Sequence, residues 1–305
     1  MRSITEAQDL NGKRVLVRVD WNVVKDGKVM DMFRIEKSLP TIAFLQKSGA
    51  QVILATHLEE GDVEVLKPFV PQGAELLPNL RENAGEEANS LEFARELASG
   101  ADIYVNEAFS VSHREHASIV GVPKLIPSYV GIRFLEEVEN LSKAFSPAHP
   151  FLILLGGAKI EIKLPLVEKF STIADEIFIG GAMAKTAFDM GLGENQKIFF
   201  PTGDLSALDA NDETLDILKN KINEAKFIIW NGPLGKYEDG YTKYTYELAQ
   251  ALAESSAEVV VGGGDTLATI KSLNLEDKFS FVSTAGGAML DFLATGTLPG
   301  IEALN

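Results

Sequence analysis

The stretch Phe151-Leu-Ile-Leu-Leu155 runs directly into Gly156-Gly157-Ala158-Lys159. Consecutive apolar residues that stop at a pair of glycines are typical of a buried strand that ends in a tight turn. Runs of this kind recur along the chain and alternate with segments whose apolar residues have helical spacing. This alternation predicts an α/β fold in which helices cover both faces of parallel sheets.

The same pattern predicts individual elements on either side of that strand. In the second half, strands are predicted at Phe151–Leu155, Glu176–Ile179, Phe227–Trp230, Glu258–Val261 and Phe279–Val282, and helices begin near Gly181, Asp209, Thr242, Asp265 and Gly286. In the first half, strands are predicted at Arg14–Val19, Gln51–Ala55 and Asp102–Val105, and helices at Ile35–Lys47 and Leu91–Ala98. Arg34 then stands just ahead of a helix.

The length of the chain favours two domains. A chain of 305 residues is long for one core, since domains of about 100–150 residues are commonest. Between the halves, apolar residues from Phe134 to Leu141 have helical spacing, and Ser146-Pro-Ala-His-Pro150 ends that helix. We therefore predict two Rossmann-like three-layer α/β/α domains at 1–133 and 151–290, a hinge helix and linker at 134–150, and a C-terminal segment at 291–305 that returns to the first domain.

Composition and charge disfavour several classes of function. The chain has 44 acidic residues against 28 Lys and Arg, a net charge of −16, which argues against a nucleic-acid partner. It contains no cysteine, so disulfides and thiolate metal sites are excluded. No apolar run has the length of a membrane span, and the N-terminus lacks the pattern of a signal peptide. We therefore expect no membrane partner and a cytoplasmic location.

Glycine-rich turns follow the predicted strands of the second half. Glycine lets backbone N–H groups approach a ligand closely, and a helix N-terminus behind such a turn favours anions. Tight turns also use glycine for geometry alone, but five such turns in one domain favour a phosphate or nucleotide site. The turns are Gly156-Gly157-Ala158-Lys159, Gly180-Gly181-Ala182, Asn231-Gly232-Pro233-Leu234-Gly235, Gly262-Gly263-Gly264-Asp265-Thr266 and Ala285-Gly286-Gly287.

The usual nucleotide motifs are missing. The sequence contains no G-x-x-x-x-G-K-[ST] P-loop, and the first predicted strand leads into Val19-Asp20-Trp21-Asn22 rather than into a G-x-G-x-x-G turn. These absences weaken both a P-loop NTPase and a Rossmann dehydrogenase.

The turns of the first half are polar and basic instead. Arginine forks suit the capture of phosphate and carboxylate, although an isolated arginine is more often solvated surface. Several at such turns in so acidic a chain favour an anionic substrate, while the absence of cysteine and of a further histidine cluster disfavours zinc. A nucleotide site in one domain and an acid site in the other fit phosphoryl transfer, which needs mainly positioning and charge neutralisation. These turns carry Asp20, Asn22, Arg34, His57, Arg81 and His113-Arg114-Glu115-His116.

The sequence resembles the phosphoglycerate kinases along nearly its whole length. Arg14-Val-Leu-Val-Arg-Val-Asp-Trp-Asn-Val23 is similar to the first strand and turn of that family. Further family motifs follow in the same order, and their shared order makes chance agreement a poor explanation. They are Asn106-Glu-Ala-Phe109 followed by His113-Arg114, Gly156-Gly-Ala-Lys159 with Lys163, Trp230-Asn-Gly-Pro-Leu-Gly235, Gly262-Gly-Gly-Asp-Thr266 and Ser283-Thr-Ala-Gly-Gly287.

The resemblance implies reversible phosphoryl transfer between ATP/ADP and 3-phosphoglycerate/1,3-bisphosphoglycerate, by a monomer with hinge closure. It assigns the acid to Asp20, Asn22, Arg34, His57, Arg81 and Arg114, and the transferred phosphoryl group to Arg34, Lys159 and Lys163, with Gly286 and Gly287 cradling phosphate. It assigns the nucleotide to Gly157, Lys163, Gly181, Asn231, Gly235, Glu238, Gly262, Gly263, Gly264, Asp265 and Thr266. Glu238 would bond the ribose, and Asp265 would reach the Mg²⁺ bound to ATP or ADP.

The sequence departs from the family pattern at several positions. It is short between His57 and Arg81 and between Lys197 and Asp209, so we expect each domain to lose a peripheral βα element. Glu59-Glu60 stand where Gly-Arg is expected, and Glu60 would repel a substrate phosphate unless it points away. The remaining departures are Ile162 for an acid, Leu208–Asp212 without Gly-Pro, and Ala285 for a glycine, where a methyl would crowd a phosphate.

Three interpretations stay open from the sequence. An active, minimal phosphoglycerate kinase is favoured by the retention of Arg34, Lys159, Lys163 and Asp265. A related kinase with a changed acid substrate is suggested by Glu60. A non-catalytic nucleotide-binding or structural paralogue is suggested by the two shortened segments.

Overall fold

Two parallel sheets organise the chain in the computed structural model, which describes all residues from 1 to 305. The chain divides into two compact units, Met1–Glu139 with Thr297–Asn305, and Asn140–Gly296. The division falls inside a helix at Ile132–Ser142, within the segment 134–150 for which the sequence predicts a hinge helix and linker. In the first unit the last residues are attached by the backbone N–H of Gly300, which donates to the carbonyl of Ser112 at 2.9 Å.

The first unit contains a five-stranded sheet in the order β5-β4-β1-β6-β7, with all strands parallel. The register aligns Arg18 with Ala55 and Val19 with Glu107, so the carboxyl ends of the three central strands lie side by side. The elements are β1 Arg14–Val19, a hairpin of β2 Val24–Lys25 and β3 Lys28–Val29, α1 Met32–Lys47, β4 Gln51–Ala55, β5 Glu75–Leu76, α2 Leu91–Ser99, β6 Ile103–Glu107, β7 Ser128–Val130, α3 Ile132–Ser142 and, at the C-terminus, α10 Pro299–Glu302.

Alternate residues of β1 pack on opposite faces of this sheet. Val15 and Val17 belong to one core cluster together with Ile42 of α1. Leu16 belongs to a second cluster with Phe93 of α2. Helices therefore cover both faces, as strand alternation requires of a three-layer α/β/α unit.

The second unit contains a six-stranded parallel sheet in the order β10-β9-β8-β11-β12-β13. Leu155 pairs with both Ile179 and Asn231, and Asn231 pairs with Gly262, so the glycine-rich turns after these strands come to one edge. The elements are β8 Phe151–Leu155, α4 Leu164–Phe170, β9 Glu176–Ile179, α5 Ala184–Asp189, β10 Ile198–Phe199, α6 Asp212–Glu224, β11 Phe227–Asn231, α7 Lys243–Glu254, β12 Glu258–Gly262, α8 Gly264–Ser272, β13 Phe281–Val282 and α9 Gly287–Thr295.

Every residue of β8 is buried, which explains why its sequence is continuously apolar rather than alternating. Phe151 packs edge-on against Phe170 of α4 and against Phe227 of β11, with ring centroids 5.9 and 5.1 Å apart. Such aromatic contacts add to the burial that holds helix and sheet together.

The expectation that each domain loses a peripheral βα element is wrong for the strands. β5 pairs with β4, and β10 pairs with β9, each over two residues. A short edge strand is stable here because a full-length neighbour supplies its hydrogen bonds. The shortening is accommodated in the connections instead; between β4 and β5 only a 3₁₀ helix at Val63–Phe69 remains.

Helix α1 begins earlier than its sequence pattern indicates. The side chain of Asp31 accepts a hydrogen bond from the backbone N–H of Phe33 at 3.0 Å and caps the helix. Arg34 therefore lies in the first turn of α1, not just ahead of a helix as predicted.

Candidate active site

A polar cluster occupies the carboxyl end of the sheet in the first unit. Asp20 follows β1 directly, and its Oδ2 accepts from an Nη of Arg34 at 3.0 Å and from the hydroxyl of Ser110. Burial raises the pKa of the Asp20 carboxyl, but Arg34, His57 and the Ser110 hydroxyl outweigh it and hold that pKa below its ordinary value. Asp20 is therefore a fixed anion that orients Arg34.

His57 lies beside this carboxylate at the end of β4. Its Nδ1 is 3.1 Å from an Nη of Arg18, a residue of β1 that is fully buried. Burial, followed by the charges of Arg18, Arg81 and Arg114, lowers the pKa of the His57 imidazole to about 3 against the opposing effect of Asp20. His57 is consequently neutral across the physiological range.

The arginines of this cluster have donors that the protein leaves unused. The Nε groups of Arg34 and Arg81 are buried and have no hydrogen-bond partner. Burial lowers the pKa of the Arg81 guanidinium, and the neighbouring Arg114 lowers it further. Buried donors without acceptors are costly, so these two donors favour the binding of an anion such as phosphate or carboxylate here.

The structure brings the predicted acid-site residues together through contacts. Asn22 is joined to Asp20, whose Oδ1 accepts from the Asn22 backbone N–H at 3.3 Å. The Asn22 side chain in turn accepts from the backbone N–H of Glu59 at 3.1 Å. Thus the turn after β1 and the turn after β4 are tied to each other.

Of the two glutamates that stand where Gly-Arg is expected, Glu59 is the one that contacts an arginine in the structure. The carboxylate of Glu59 lies 3.9 Å from an Nη of Arg114, and its charge acts on the pKa of Arg81. Glu60 is exposed and makes no ion pair or side-chain hydrogen bond in the structure. Glu59, which replaces the expected glycine, is therefore the acid that faces the arginines.

The turns of the second unit hold one another closely. The backbone N–H of Gly157 donates to the carbonyl of Pro233 at 2.9 Å, and the Gly157 carbonyl accepts from Met183 at 3.0 Å. Gly181 has a φ of +68°, and a Cβ there would lie 2.6 Å from the Gly157 nitrogen. Glycine is required at this position both for the backbone conformation and for the close approach.

Two other glycines differ because open space surrounds them. A Cβ on Gly264 would meet nothing within 4 Å, and one on Gly286 would touch only Gly263, at 3.9 Å. Both residues lie at the start of helices, α8 and α9, where backbone N–H groups are free to bind phosphate. Ala285 is 1% exposed, so its methyl group is turned into the core and does not crowd this space as expected.

Lys163 is the buried cation of the second unit. Its Nζ donates to the carbonyls of Gly156 at 2.5 Å and Asn231 at 3.0 Å, at the ends of β8 and β11. Burial lowers the pKa of the Lys163 ammonium to about 8, and Asp265 acts against that lowering. This ammonium, held at a glycine-lined edge, is suited to contact a phosphate.

Asp265 stands in the first turn of α8 with an unpaired carboxylate. Burial and the charge of Glu238 raise its pKa, whereas Lys163 lowers it. No group of three or more His, Asp or Glu side chains that could hold a metal occurs in the chain. The Asp265 carboxylate, with Glu238 near it but no further protein ligands, does fit a Mg²⁺ ion that is bound chiefly by nucleotide phosphates and water.

Three further predicted site residues lie in different settings: Thr266 and Gly235, assigned to the nucleotide, and Lys159, assigned to the transferred phosphoryl group. Thr266 is buried and its hydroxyl accepts from the Gly232 backbone N–H at 2.9 Å, so only its backbone is available to a ligand. Gly235 packs against Asp209 and the carbonyl of Tyr241. Lys159 is exposed and makes no ion pair or hydrogen bond through its side chain.

Sequence reasoning missed two residues of the acid cluster, Arg18 and Ser110. Arg18 carried a signal, because a charged residue inside an otherwise apolar strand is rarely buried unless it is paired. Ser110 carried none, since it lies on a 3₁₀ helix at Phe109–Val111 whose contact with Asp20 spans 90 positions of sequence.

Comparison with known proteins gives the family. The family model described as phosphoglycerate kinase matches residues 4–71, 63–195 and 190–296. This chain belongs to the phosphoglycerate kinase family. The curated phosphoglycerate kinases of Finegoldia magna and Dictyoglomus turgidum are 34% and 35% identical to it; each alignment covers 98% of this chain, with 98% and 97% of the relative.

Solved phosphoglycerate kinases share the fold. The structure from Coxiella burnetii aligns with a TM-score of 0.84 at 30% identity, covering 99% of this chain and 98% of that one. The structure from Pyrococcus horikoshii aligns with a TM-score of 0.87 at 26% identity, covering 100% and 98%.

The comparisons also indicate where this chain is shorter than its relatives. The alignment with the Finegoldia magna phosphoglycerate kinase extends over 387 positions, although this chain has 305 residues. Since the alignment covers 98% of both proteins, the difference lies in internal segments. The family match consists of three pieces whose ends overlap at 63–71 and at 190–195. The first overlap falls between His57 and Arg81, and the second lies just before Lys197, whereas we expected the second loss between Lys197 and Asp209.

Proposed function

We propose that this chain transfers a phosphoryl group reversibly between ATP/ADP and 3-phosphoglycerate/1,3-bisphosphoglycerate. Family membership makes it a phosphotransferase with a carboxyl group as acceptor. The observation that carries the choice of acid is the cluster around His57, where the buried Nε donors of Arg34 and Arg81 have no acceptor in the protein. We assign this cluster to the acid and the glycine-lined edge of the second unit to the nucleotide.

In the first unit, the arginines would bind the phosphate and carboxylate of the acid. Arg34 is oriented by Asp20, while Arg81 and Arg114 supply further positive charge. His57 is neutral and would donate a hydrogen bond, because burial and the arginines hold its pKa near 3. Asp20 and Asn22 would accept from the hydroxyl of the acid.

In the transfer step, an oxygen of the acid's carboxylate attacks the γ-phosphorus as the bond to ADP breaks. The carboxylate is ionised at neutral pH, so the step needs no general base. Negative charge spreads over the transferred group, and Lys163, Lys159 and Arg34 would stabilise it. The backbone N–H groups at Gly286 and Gly287 would do the same on the nucleotide side.

Asp265 would hold the Mg²⁺ of the nucleotide, which neutralises charge between the β- and γ-phosphates when bound. The support is that its carboxylate has no partner and its pKa is raised by burial and by Glu238. We keep Glu238 as the candidate for the ribose. No helix of the chain has the length and apolarity of a membrane span. Family resemblance supports a monomer in the cytoplasm, and light scattering tests the first of these.

The alternative is a kinase for a different phosphorylated acid, and Glu59 is the residue that favours it. Its carboxylate would compete with the substrate for Arg114. Its negative charge would also weaken the attraction between the arginines and a substrate phosphate. A non-catalytic paralogue is disfavoured, because the chain keeps Arg34, Lys163 and Asp265, the residues that would stabilise the transferred group and hold Mg²⁺.

A coupled assay of acyl-phosphate formation tests this proposal. We expect turnover with ATP, 3-phosphoglycerate and Mg²⁺, and its loss in Asp265→Ala. If ATP binds by calorimetry but no turnover occurs, the assay is repeated with other phosphorylated acids. Turnover with one of them alone supports the alternative, and turnover with none supports the paralogue.

A further inference from the structure

A buried chain of hydrogen bonds lies behind the acid cluster. Arg18 is fully buried, and its guanidinium donates from Nε to the hydroxyl of Ser118 at 2.9 Å and from an Nη to the carbonyl of Val19 at 2.5 Å. Its other Nη is 3.1 Å from Nδ1 of His57. All three nitrogens of the guanidinium group are therefore held by hydrogen bonds, so the group has a single orientation.

The charge of Arg18 is compensated through Ser118. The Ser118 hydroxyl donates to Oε1 of the buried Glu86 at 2.5 Å, and the Ser118 backbone N–H donates to its Oε2 at 2.9 Å. Arg18 makes no direct ion pair, so its countercharge lies one hydrogen bond away. A buried cation with a complete set of acceptors and a nearby anion is a stable arrangement.

The bond to His57 determines the form of the imidazole. A guanidinium has donors only, so Nδ1 must be the acceptor. An imidazolium carries a proton on both nitrogens and has no acceptor to offer. His57 is thereby held as the neutral tautomer with its proton on Nε2, and no protein group accepts from that Nε2–H.

We propose that Arg18 is a positioning residue that locks His57 as the neutral Nε2–H tautomer, giving the acid substrate a fixed N–H donor that does not change with pH. This inference rests on the proposed function for its substrate, although the tautomer itself does not. The charged groups that face His57 are Arg18, Arg81 and Arg114, which oppose its protonation, and Asp20, which favours it. Without the bond from Arg18, Asp20 would act on a ring that is free to rotate and to bind a proton.

The test is ¹⁵N NMR of histidine-labelled protein between pH 5 and 8, with His57→Gln to assign the signal among the four histidines. We expect His57 of the wild type to show an acceptor Nδ1 and a protonated Nε2, unchanged across this range. In Arg18→Lys, which keeps the charge but loses the fork, we expect His57 to titrate within the range. The matched control is Arg14→Lys on the same strand, whose side chain is exposed, and it should leave the signal unchanged.

Steady-state kinetics of the same variants provide a second test of the role of Arg18. We expect Arg18→Lys to raise KM for 3-phosphoglycerate about tenfold at pH 8, because the Nε2–H donor is no longer fixed and its hydrogen bond to a charged ligand is lost. The rise should shrink as pH falls, because an imidazolium still donates from Nε2 and adds a positive charge. KM for ATP should stay constant and kcat should stay within about twofold.

The outcomes separate this inference from the proposed function. A wild-type His57 that carries its proton on Nδ1, or that titrates near its ordinary pKa, overturns the inference even where kinase activity is present and even where Arg18→Lys fails to fold. A folded Arg18→Lys protein with lower thermal stability but an unchanged His57 signal also overturns it, since Arg18 is then only structural. The expected tautomer in a protein without kinase activity supports the lock and removes its proposed substrate.

Discussion

At the level of single residues, Lys163 and Glu59 lead to the clearest predictions for activity, and Lys163 is the first. Its ammonium is buried against the ends of two strands and is held by the carbonyls of Gly156 and Asn231. A buried lysine with a lowered pKa costs stability but gives a strong local field. We therefore propose that Lys163 acts on a ligand.

We predict that Lys163→Met lowers kcat about 10²- to 10³-fold, as the loss of a transition-state donor does. In the wild type, kcat/KM for ATP should fall as pH rises through about 8, where Lys163 loses its charge, and this alkaline decline should be absent from the variant. Steady-state rates between pH 6.5 and 9.5 measure both effects. Lys185→Met, at an exposed position on α5 paired with Asp189, is the control; an equal loss there would mean that any lysine deletion impairs the enzyme.

Glu59 is the second residue, because it places a negative charge beside Arg114, which we assign to the acid substrate. Its distance to Arg114 is 3.9 Å, and its side chain is 61% exposed, so the interaction is weak and screened by salt. A substrate phosphate has to compete with it.

We predict that Glu59→Gln lowers KM for 3-phosphoglycerate a few-fold at low salt, and that the gain shrinks at high salt as Debye screening grows. Glu60→Gln is the matched control and should leave KM unchanged. Kinetics of the two variants at two salt concentrations decide the matter: a larger effect at position 60 would restore the interpretation drawn from sequence alone.

At the level of elements, a buried carboxyl fixes the start of α3. Glu107, the last residue of β6, accepts from the hydroxyl of Thr41 at 2.6 Å and from the backbone N–H groups of Arg133 and Phe134 at 3.1 Å each. It thus satisfies two donors at the helix N-terminus from a neighbouring strand. Burial raises its pKa to about 7, although the bonds from Thr41 and the helix act against that rise.

We predict that Glu107 makes the protein less stable as pH rises. A carboxyl whose pKa is higher when folded than its ordinary 4.5 binds more protons in the folded state, so its contribution is present below about 4.5 and is lost as pH rises through about 7. The stability difference between wild type and Glu107→Gln should therefore change by roughly 2–3 kcal/mol between pH 5 and pH 8, in favour of the wild type at low pH.

Urea unfolding of both proteins at the two pH values measures this change. The exposed carboxyl of Glu96 on α2 provides the control as Glu96→Gln, for which the difference should be constant. A constant difference for Glu107→Gln as well would show that this carboxyl is ionised in the folded protein.

The elements also show which parts of the fold a sequence can predict. Arg14–Val19, Gln51–Ala55 and Phe151–Leu155 were predicted to the residue, because long apolar runs report burial on both faces of a sheet. β5 and β10 were missed, since two residues have no measurable period. Those strands are set by the neighbouring strand that pairs with them and not by their own residues.

The site was predictable to a similar degree. Asp20, His57 and the glycine turns could be found because the carboxyl ends of parallel strands gather ligand-binding residues. The partner of each side chain could not, so the sequence did not show that Glu59, and not Glu60, contacts Arg114. Arg18 was missed because its role depends on a bond to His57 across 39 positions.

At the level of the whole molecule, the chain retains the chemistry of its family on a shorter scaffold. Its alignment with a Finegoldia magna relative covers 98% of both proteins despite the difference in length. The shortened segments lie in connections to the edge strands β5 and β10. The central claim is that the acid cluster and the nucleotide edge each bind one substrate of a single reaction.

Steady-state kinetics in both substrates, for the wild type, Arg114→Ala and Asp265→Ala, test that claim most directly. We expect Arg114→Ala to raise KM for 3-phosphoglycerate about tenfold and to leave KM for MgATP unchanged, because a charge-assisted hydrogen bond is lost. Asp265→Ala should raise KM for MgATP and lower kcat, with KM for the acid unchanged. If Arg114→Ala and Asp265→Ala both changed the KM of the same substrate, the claim of two separate binding sites would be contradicted. A wild type without turnover would contradict the claim of a single reaction.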